Sequence, residues 1–149
     1  MNRKIRFRGK VKYNGNHKFS GDWVYGYYRN NDNGNAFITE TLDEYSNYIF
    51  DETEVDESTI GQFTGLIDKN GARIYEGDIL KFKMYDGKYE NYKIVFRNAE
   101  FEAINEDDTN FISTDIWNVY GEVIGNIYDN PELLKEEVWV NIQFKNYGK

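Results

Sequence analysis

Hydrophobic and polar residues alternate with a period of two along much of the chain, the pattern of β-strands that bury one face. Near the start, Phe7 and Val11 alternate with charged neighbours, and DWVYGYYR at 22–29 alternates again. The sequence therefore predicts a mainly β protein built from antiparallel strands. Further runs of this kind, bounded by Gly, Asn or Asp, are AFITE, YSNYIF, GDILKFKMY, YKIVFR, FEAIN, VYGEVIGNIY and VWVNIQF.

The spacing of the later runs favours a compact architecture. The runs between 74 and 128 are typical of an SH3-like small barrel, an analogy at the level of the fold. One helix is predicted at 130–137, NPELLKEE, with Asn130 at the N-cap and Pro131 at the first helical position. We expect a small barrel followed by one short C-terminal helix.

The length of 149 residues suits a single domain, 1–149, with room for two lobes. The passage DETEVDE, 51–57, is the expected seam, because its five carboxylates should stay solvated. The lobes would then be an N-terminal β lobe, 1–54, and a barrel-like lobe with the helix, 55–149.

Turn residues explain the most ordered-looking passage, VDESTIGQFTGLIDKNGARIYEGDIL at 55–80. Asp68 to Gly71, DKNG, separates two apolar pieces, and Gly71 is expected to take a positive φ that closes a short hairpin loop. The passage NNDNGNA at 30–36 is predicted to be another turn.

Charge is distributed unevenly. The first 12 residues hold six cations and no acid, whereas residues 13–149 hold 12 basic and 26 acidic residues, a balance of −14. A body this negative repels phosphate backbones at long range. The favoured interpretation of the basic segment is a strand with a solvated charged face, and contact with a phosphate or an acidic partner is the alternative.

The composition excludes several chemistries. The chain has no Cys, and His17 lies in a turn-like stretch, so zinc sites and Ser-His or Cys-His nucleophiles lack their residues. No phosphate-binding or dinucleotide fingerprint occurs. Catalysis by a pair of carboxylates stays open, because the chain has 26 acids. We assign no catalytic residue, cofactor or metal.

Four blocks occur in order along the chain: IRFRGK, DWVYGYY, the long central passage at 55–80, and VIGNIYDNPELL. Together they closely resemble the YopX family of small proteins encoded by bacteriophages and prophages. The resemblance implies a mostly β protein made in an infected or lysogenic bacterium, and hence a location in the host cytoplasm. It implies no established activity, although DNA packaging has been linked with the family.

Three classes of function follow, in order of preference. The first is a non-enzymatic protein that contacts a phage or host protein, with a homo-oligomer as one form of such contact. The second is a nucleic-acid-associated accessory, acting in DNA packaging or as an acidic DNA mimic; an enzyme using carboxylates or a metal comes third. We expect no binding to duplex DNA and no membrane span. The candidate binding residues are Arg3, Lys4, Arg6, Arg8, Trp23, Tyr25 and Tyr27, although packing in the core is the favoured interpretation of the three aromatic residues.

Overall fold

The computed structural model describes residues 4–12, 21–40 and 51–135. The chain divides into two compact units, Met1–Gly65 and Leu66–Lys149. In the described residues, the regular structure of both units is mostly antiparallel strand, which confirms the predicted mainly β fold class. No helix in the described part of the chain is long and apolar enough to cross a membrane.

The first unit contains one sheet with strand order β4-β3-β2-β1-β5. An isolated antiparallel bridge joins Val11, just after β1, to Val55 at the end of β4. The core between the strands holds Ala36, Ile38 and Val55, each with at most 2% of its surface exposed. The strands are β1 (Phe7–Lys10), β2 (Trp23–Asn30), β3 (Ala36–Glu40), β4 (Asp51–Val55) and β5 (Gly61–Ile67).

The passage expected to be a seam, 51–57, includes β4, which is paired with β3 along its whole length. Asp56 then caps a 3-10 helix at Glu57–Thr59, since its carboxylate accepts the Ser58 N–H at 3.0 Å. The Thr59 hydroxyl accepts the Lys10 N–H at 2.9 Å and so fixes this turn against β1. These carboxylates therefore belong to a strand and a cap, and the boundary between the units lies inside β5.

The last two residues of β5 lie in the second unit, where β6 is the hydrogen-bonded neighbour of β5. The main sheet of this unit has the order β10-β9-β8-β7-β11. Its core packs Leu80, Phe82, Tyr92, Ile94 and Trp117. The strands are β6 (Arg73–Tyr75), β7 (Asp78–Lys83), β8 (Tyr89–Arg97), β9 (Glu100–Ile104), β10 (Phe111–Ile112) and β11 (Gly121–Asn126).

Strands β7 to β10 form a four-strand meander, and a fifth strand, β11, returns beside β7. No ladder joins β10 to β11 within the described residues, so the sheet is not closed into a complete barrel. Between them lie a 3-10 helix, Thr114–Ile116, and one turn of α-helix, α1 (Trp117–Tyr120), whose last two residues are the start of a strand predicted from the sequence.

The predicted C-terminal helix takes a shorter form in the structure. Pro131–Leu134 forms a 3-10 helix with Pro131 in its first turn, and the side chain of the N-cap, Asn130, makes no capping bond. That side chain instead accepts the Asn126 N–H at 3.3 Å. Residues 136 and 137, like the predicted final strand VWVNIQF and His17, lie outside the described residues.

Candidate functional site

Four of the predicted binding residues, Arg8, Trp23, Tyr25 and Tyr27, share one face of the sheet in the first unit. The antiparallel register of β1 and β2 places Arg8 opposite Tyr25 and Lys10 opposite Trp23. Residues directly opposite each other in an antiparallel pair project to the same side, and so do residues two apart on a strand. We call the set Arg8, Lys10, Trp23, Tyr25 and Tyr27 the aromatic face.

The alternation of β2 produces this arrangement. Val24 and Tyr28 pack against the core cluster of the unit, together with Phe7 of β1. Gly26 lies on this inner side, where an added Cβ would come within 2.0 Å of the Thr39 carbonyl oxygen of β3. The backbones of β2 and β3 approach each other so closely at Gly26 that the inner side has no room for a side chain there. The rings of Tyr25 and Tyr27 project from the outer side.

Cations and rings are stacked on the aromatic face. The Arg8 guanidinium carbon lies 4.6 Å from the centre of the Trp23 ring, and the Lys10 ammonium lies 5.8 Å from it. Both distances are in the range of cation–π attraction. Arg8 is only 5% exposed, whereas Tyr25 is 43% and Tyr27 is 60% exposed. The accessible part of the face is thus aromatic, and its most central cation is buried against Trp23.

The other predicted binding residues lie before β1. Lys4 is exposed and Arg6 is half-buried. The Arg6 carbonyl accepts the Phe63 N–H at 2.7 Å. Arg3 is outside the described residues. Lys10 is absent from the sequence-derived candidates, although the period-two alternation already placed it on the same side as Arg8.

Acidic side chains of β4 meet the cations at both ends of this region. The Lys12 ammonium lies 3.7 Å from a Glu54 carboxylate oxygen. The Arg29 guanidinium pairs with Glu52, with one hydrogen bond of 3.2 Å from its Nε. These contacts offset positive charge beside the aromatic face, although exposed pairs of this type add little stability.

Two buried carboxylates of the second unit have structural partners. Asp68 is 3% exposed; its Oδ1 accepts the N–H groups of Asn70 and Ala72, each at 2.8 Å. Asp78 is 2% exposed and accepts the Tyr75 N–H at 2.7 Å. Hydrogen bonds to charged acceptors are strong when the acceptor is buried. These side chains therefore fix turns of the central sequence block.

A polar pocket of about 400 Å³ lies between β8 and the β9–β10 connection. Two of its acids have local partners: Glu90 accepts the Tyr92 hydroxyl at 2.5 Å, and Asp107 accepts the Thr109 hydroxyl at 2.6 Å. The bond from Thr109 holds the pKa of Asp107 below its ordinary value. Within the described residues, no group of three or more His, Asp or Glu side chains is arranged to hold a metal ion.

An arginine organises the same connection from outside the pocket. Arg97 donates two hydrogen bonds to Asp108, at 2.6 and 2.8 Å, and pairs with Glu102 as well. The bonds from Arg97 lower the pKa of Asp108, and the two carboxylates raise the pKa of Arg97. Two carboxylates already offset the charge of Arg97. We therefore assign this cluster the role of holding the β9–β10 connection in place.

The described residues define a mainly β protein with two antiparallel sheets, in which aromatic and cationic side chains share the outer face of one sheet. The chain belongs to the YopX protein family, whose sequence model matches residues 6–135. This result confirms the resemblance carried by the four sequence blocks. No curated protein matches the chain.

A solved structure supports the same fold. The crystal structure of protein EF1440 from Enterococcus faecalis is 27% identical in sequence and superposes with a TM-score of 0.57. The match covers 88% of this chain and 98% of the other. The two proteins therefore share their fold over nearly the full length of the Enterococcus protein.

Proposed function

We propose that this YopX protein is a phage- or prophage-encoded protein without enzymatic activity that acts by contacting another protein through the aromatic face. The observation that carries the proposal is the exposure of Tyr25 and Tyr27 beside the Arg8–Trp23 stack. Tyr, Trp and Arg are the residues enriched at the energetic centres of protein interfaces.

The core of the unit does not require these two tyrosines. Its apolar contacts come from Val24 and Tyr28 on the opposite side of β2. A Tyr on the outer side exposes an apolar ring to water, and a partner would cover that ring while leaving the hydroxyl free to hydrogen-bond. Because β2 is held in the sheet on both sides, these rings are presented by a rigid element, which lowers the entropic cost of binding.

Charge favours a protein partner over duplex DNA. The pairs Lys12–Glu54 and Arg29–Glu52 match cations with acids on the strand β4. A surface that neutralises several phosphates needs cations that are not already matched. The alternative is a nucleic-acid accessory, favoured only by the stacking of Arg8 on Trp23, since aromatic and cationic groups together also bind single strands.

Acidic mimicry of DNA has less support. A DNA mimic needs a continuous acidic face. In both units of this protein, acidic side chains form ion pairs with basic ones. In the second unit, Glu122 lies 3.7 Å from Lys69 and 3.8 Å from Lys81. Interspersed charge of this kind is typical of an ordinary soluble surface.

Affinity capture from infected or induced cells tests the proposal. The wild-type protein is compared with a Tyr25→Ser, Tyr27→Ser double variant and with Tyr89→Ser, which removes a tyrosine of similar exposure, 50%, from the other unit. We expect a protein retained by the wild type and by Tyr89→Ser to be lost from the double variant, and purified components to reproduce the difference.

Two results would contradict the proposal. One is equal retention of every captured protein by the wild type and the double variant. The other is loss of all captured proteins after nuclease treatment, which would favour the nucleic-acid accessory. Sedimentation of the purified chain identifies the remaining case, in which the partner is a second copy and the oligomer dissociates in the double variant.

A further inference from the structure

Two turns of the protein share one structure and one Asn-Gly pair. The β2–β3 turn is NDNGN at 31–35, and the β5–β6 turn is DKNGA at 68–72. In each turn the glycine has a positive φ, +80° at Gly34 and +84° at Gly71. The N–H of this glycine donates to the carbonyl of the first residue of its turn, at 3.0 Å in both. The reactivity of the two Asn-Gly pairs can therefore be compared within one chain.

The side chain of the first residue closes both turns in the same way. Asn31 Oδ1 accepts the N–H groups of Asn33 and Asn35, at 3.0 and 2.9 Å. Asp68 Oδ1 accepts the two equivalent N–H groups of its own turn, each at 2.8 Å. Short polar side chains often stabilise turns by such local bonds. Because the bonds inside the two turns correspond, any difference in reactivity must come from their surroundings.

The surroundings of the two turns differ. The β5–β6 turn is anchored to β11, because Asp68 Oδ2 accepts the Val123 N–H and the Lys69 N–H donates to the Gly121 carbonyl, both at 2.9 Å. Asp68 is only 3% exposed. In the part of the chain that the structure describes, the hydrogen bonds of the β2–β3 turn all stay inside the turn, and its last four residues are exposed. The β2–β3 turn therefore opens with the loss of fewer hydrogen bonds.

An Asn-Gly pair carries its own nucleophile. Because Gly has no Cβ, the backbone nitrogen that follows the Asn is unhindered. After this nitrogen has lost its proton to water, it attacks the side-chain Cγ of the Asn. The new N–Cγ bond forms, the Cγ–Nδ2 bond breaks, and the amide nitrogen takes up a proton and leaves as ammonia. Water then opens the resulting five-membered succinimide at either carbonyl, which gives an aspartyl or an isoaspartyl residue.

The closed turn keeps the glycine nitrogen from this reaction. The N–H of Gly34 is bonded to the Asn31 carbonyl, and attack requires that bond to break. The rate of the reaction therefore follows the population of the opened turn. We propose that the β2–β3 turn is a site of spontaneous deamidation, at which the Gly34 nitrogen attacks the Asn33 side chain, and that the anchored β5–β6 turn protects Asn70 from the same reaction.

The reaction alters the hairpin that carries the aromatic face. It replaces a neutral amide with a carboxylate directly after Asp32. The isoaspartyl product also adds a methylene group to the backbone, so the N–H of Gly34 no longer meets the Asn31 carbonyl and the pairing of β2 with β3 loosens at the turn. This inference concerns a turn outside the aromatic face and stands without the proposed function.

Peptide mapping by mass spectrometry measures both sites in the same sample during incubation at neutral pH. We expect the folded protein to convert Asn33 about tenfold or more faster than Asn70, because the hydrogen bonds to β11 must also break before the β5–β6 turn opens. In concentrated urea both turns are open, so the two rates should converge. A third pair, Asn14–Gly15, lies outside the described residues and is mapped separately.

Substitutions in each turn provide matched comparisons. Asp68→Ala removes the anchor and should speed conversion of Asn70 while leaving the rate at Asn33 unchanged. Asn31→Ala removes the side chain that closes the β2–β3 turn and should speed conversion of Asn33, whereas Asn31→Asp keeps an acceptor and should stay close to the wild-type rate. Gly34→Ala places a Cβ beside the attacking nitrogen and should slow the reaction. Thermal melts verify that each variant is folded.

Equal conversion of Asn33 and Asn70 in the folded wild type would overturn the inference, and so would the absence of conversion at Asn33. A difference between the two sites that persists in concentrated urea would also overturn it, because the local sequence and not the anchor would then be the cause. An unchanged rate at Asn70 in folded Asp68→Ala would show that the bonds to β11 do not protect that site. The wild-type comparison decides the matter even if Asp68→Ala does not fold.

Discussion

The Val123 N–H donates to Asp68 Oδ2 at 2.9 Å, across 55 positions of sequence. Beside this bond, the Lys69 N–H donates to the Gly121 carbonyl at 2.9 Å. The 68–71 turn therefore provides hydrogen-bond partners for backbone groups on one edge of β11. The other edge of β11 is paired with β7. An edge strand covered in this way cannot pair with another chain. The central sequence block thus has a structural role that turn chemistry alone did not reveal.

Replacing Asp68 with Asn should lower stability by about 1–3 kcal/mol, because the amide nitrogen cannot accept one of the three backbone N–H bonds and that donor is left buried. Urea unfolding of the wild type and Asp68→Asn measures the loss. Asp86→Asn is the matched control, since Asp86 is exposed and accepts one N–H, from Lys88 at 2.9 Å. Equal midpoints for the two variants would contradict the assigned role of Asp68.

The positive φ predicted for Gly71 is confirmed at +84°. A Cβ at this position would meet no heavy atom within 4 Å, so the cost of Gly71→Ala comes from backbone strain alone. We expect a loss of about 1 kcal/mol in urea unfolding. Gly71→Asn should cost less, because Asn tolerates the left-handed region better than Ala does. A larger loss of stability for Gly71→Asn than for Gly71→Ala would show that backbone strain is not the cause.

Gly26 is required for a different reason. Its Cβ would lie 2.0 Å from the Thr39 carbonyl oxygen, a backbone atom that cannot move without shifting β3. Gly26→Ala should therefore destabilise the protein by roughly 1–3 kcal/mol or more. Gly34→Ala provides a comparison at a glycine with positive φ and open space around it. If both substitutions have the same cost, the close approach of β2 and β3 is not responsible.

The strands could be predicted because hydrophobic and polar residues alternate along them in step with the burial of their side chains. Phe7 lies on the core side of its strand, as its spacing predicts. The alternation of β2 distinguished its two faces but did not show that Val24, and not Tyr25, would face the core. The α-helical turn Trp117–Tyr120 could not be read in this way, because WNVY consists largely of residues that favour strands. Burial of Trp117 in the core of the second unit, a tertiary effect, overrides that local preference.

The candidate surface was predicted only in part. The sequence supplies the cations of β1 and the aromatics of β2, but stacking of Arg8 on Trp23 depends on the register between two distant segments. The sequence did not reveal an apolar groove of about 330 Å³ in the second unit, lined by Phe82, Met84 and Ile116 among others. Tyr85 and Tyr120 are separated by three strands, and nothing local to either residue indicates that they flank the same depression.

The Arg97–Asp108 pair should be visible in a pH titration. Hydrogen bonds from Arg97 lower the pKa of Asp108 in the folded state. The stabilisation is therefore complete above the ordinary Asp value, about 3.9, and is lost as the pH falls through the lower folded value. Carboxyl-carbon NMR should show the pKa of Asp108 rising in Arg97→Met.

Asp107 is the internal control for this titration, because its pKa is lowered by Thr109 and should stay low in Arg97→Met. An Asp108 titration that is the same in wild type and variant would show that Arg97 does not hold the carboxylate. A parallel rise at Asp107 would instead indicate that the whole connection has rearranged.

The wild-type chain should show no measurable binding to duplex DNA at about 0.15 M salt, where charges are screened over roughly 8 Å. Near the aromatic face, Lys12 and Arg29 are matched by Glu54 and Glu52, so few phosphates can be neutralised. A gel-shift titration with random duplex measures this. Glu52→Gln combined with Glu54→Gln frees the two cations, and any change should be toward tighter, salt-sensitive binding. Micromolar binding by the wild type that weakens steeply with salt would contradict the prediction, and its loss on neutralising Lys4, Arg6 and Arg8 would locate a nucleic-acid site at the start of the chain.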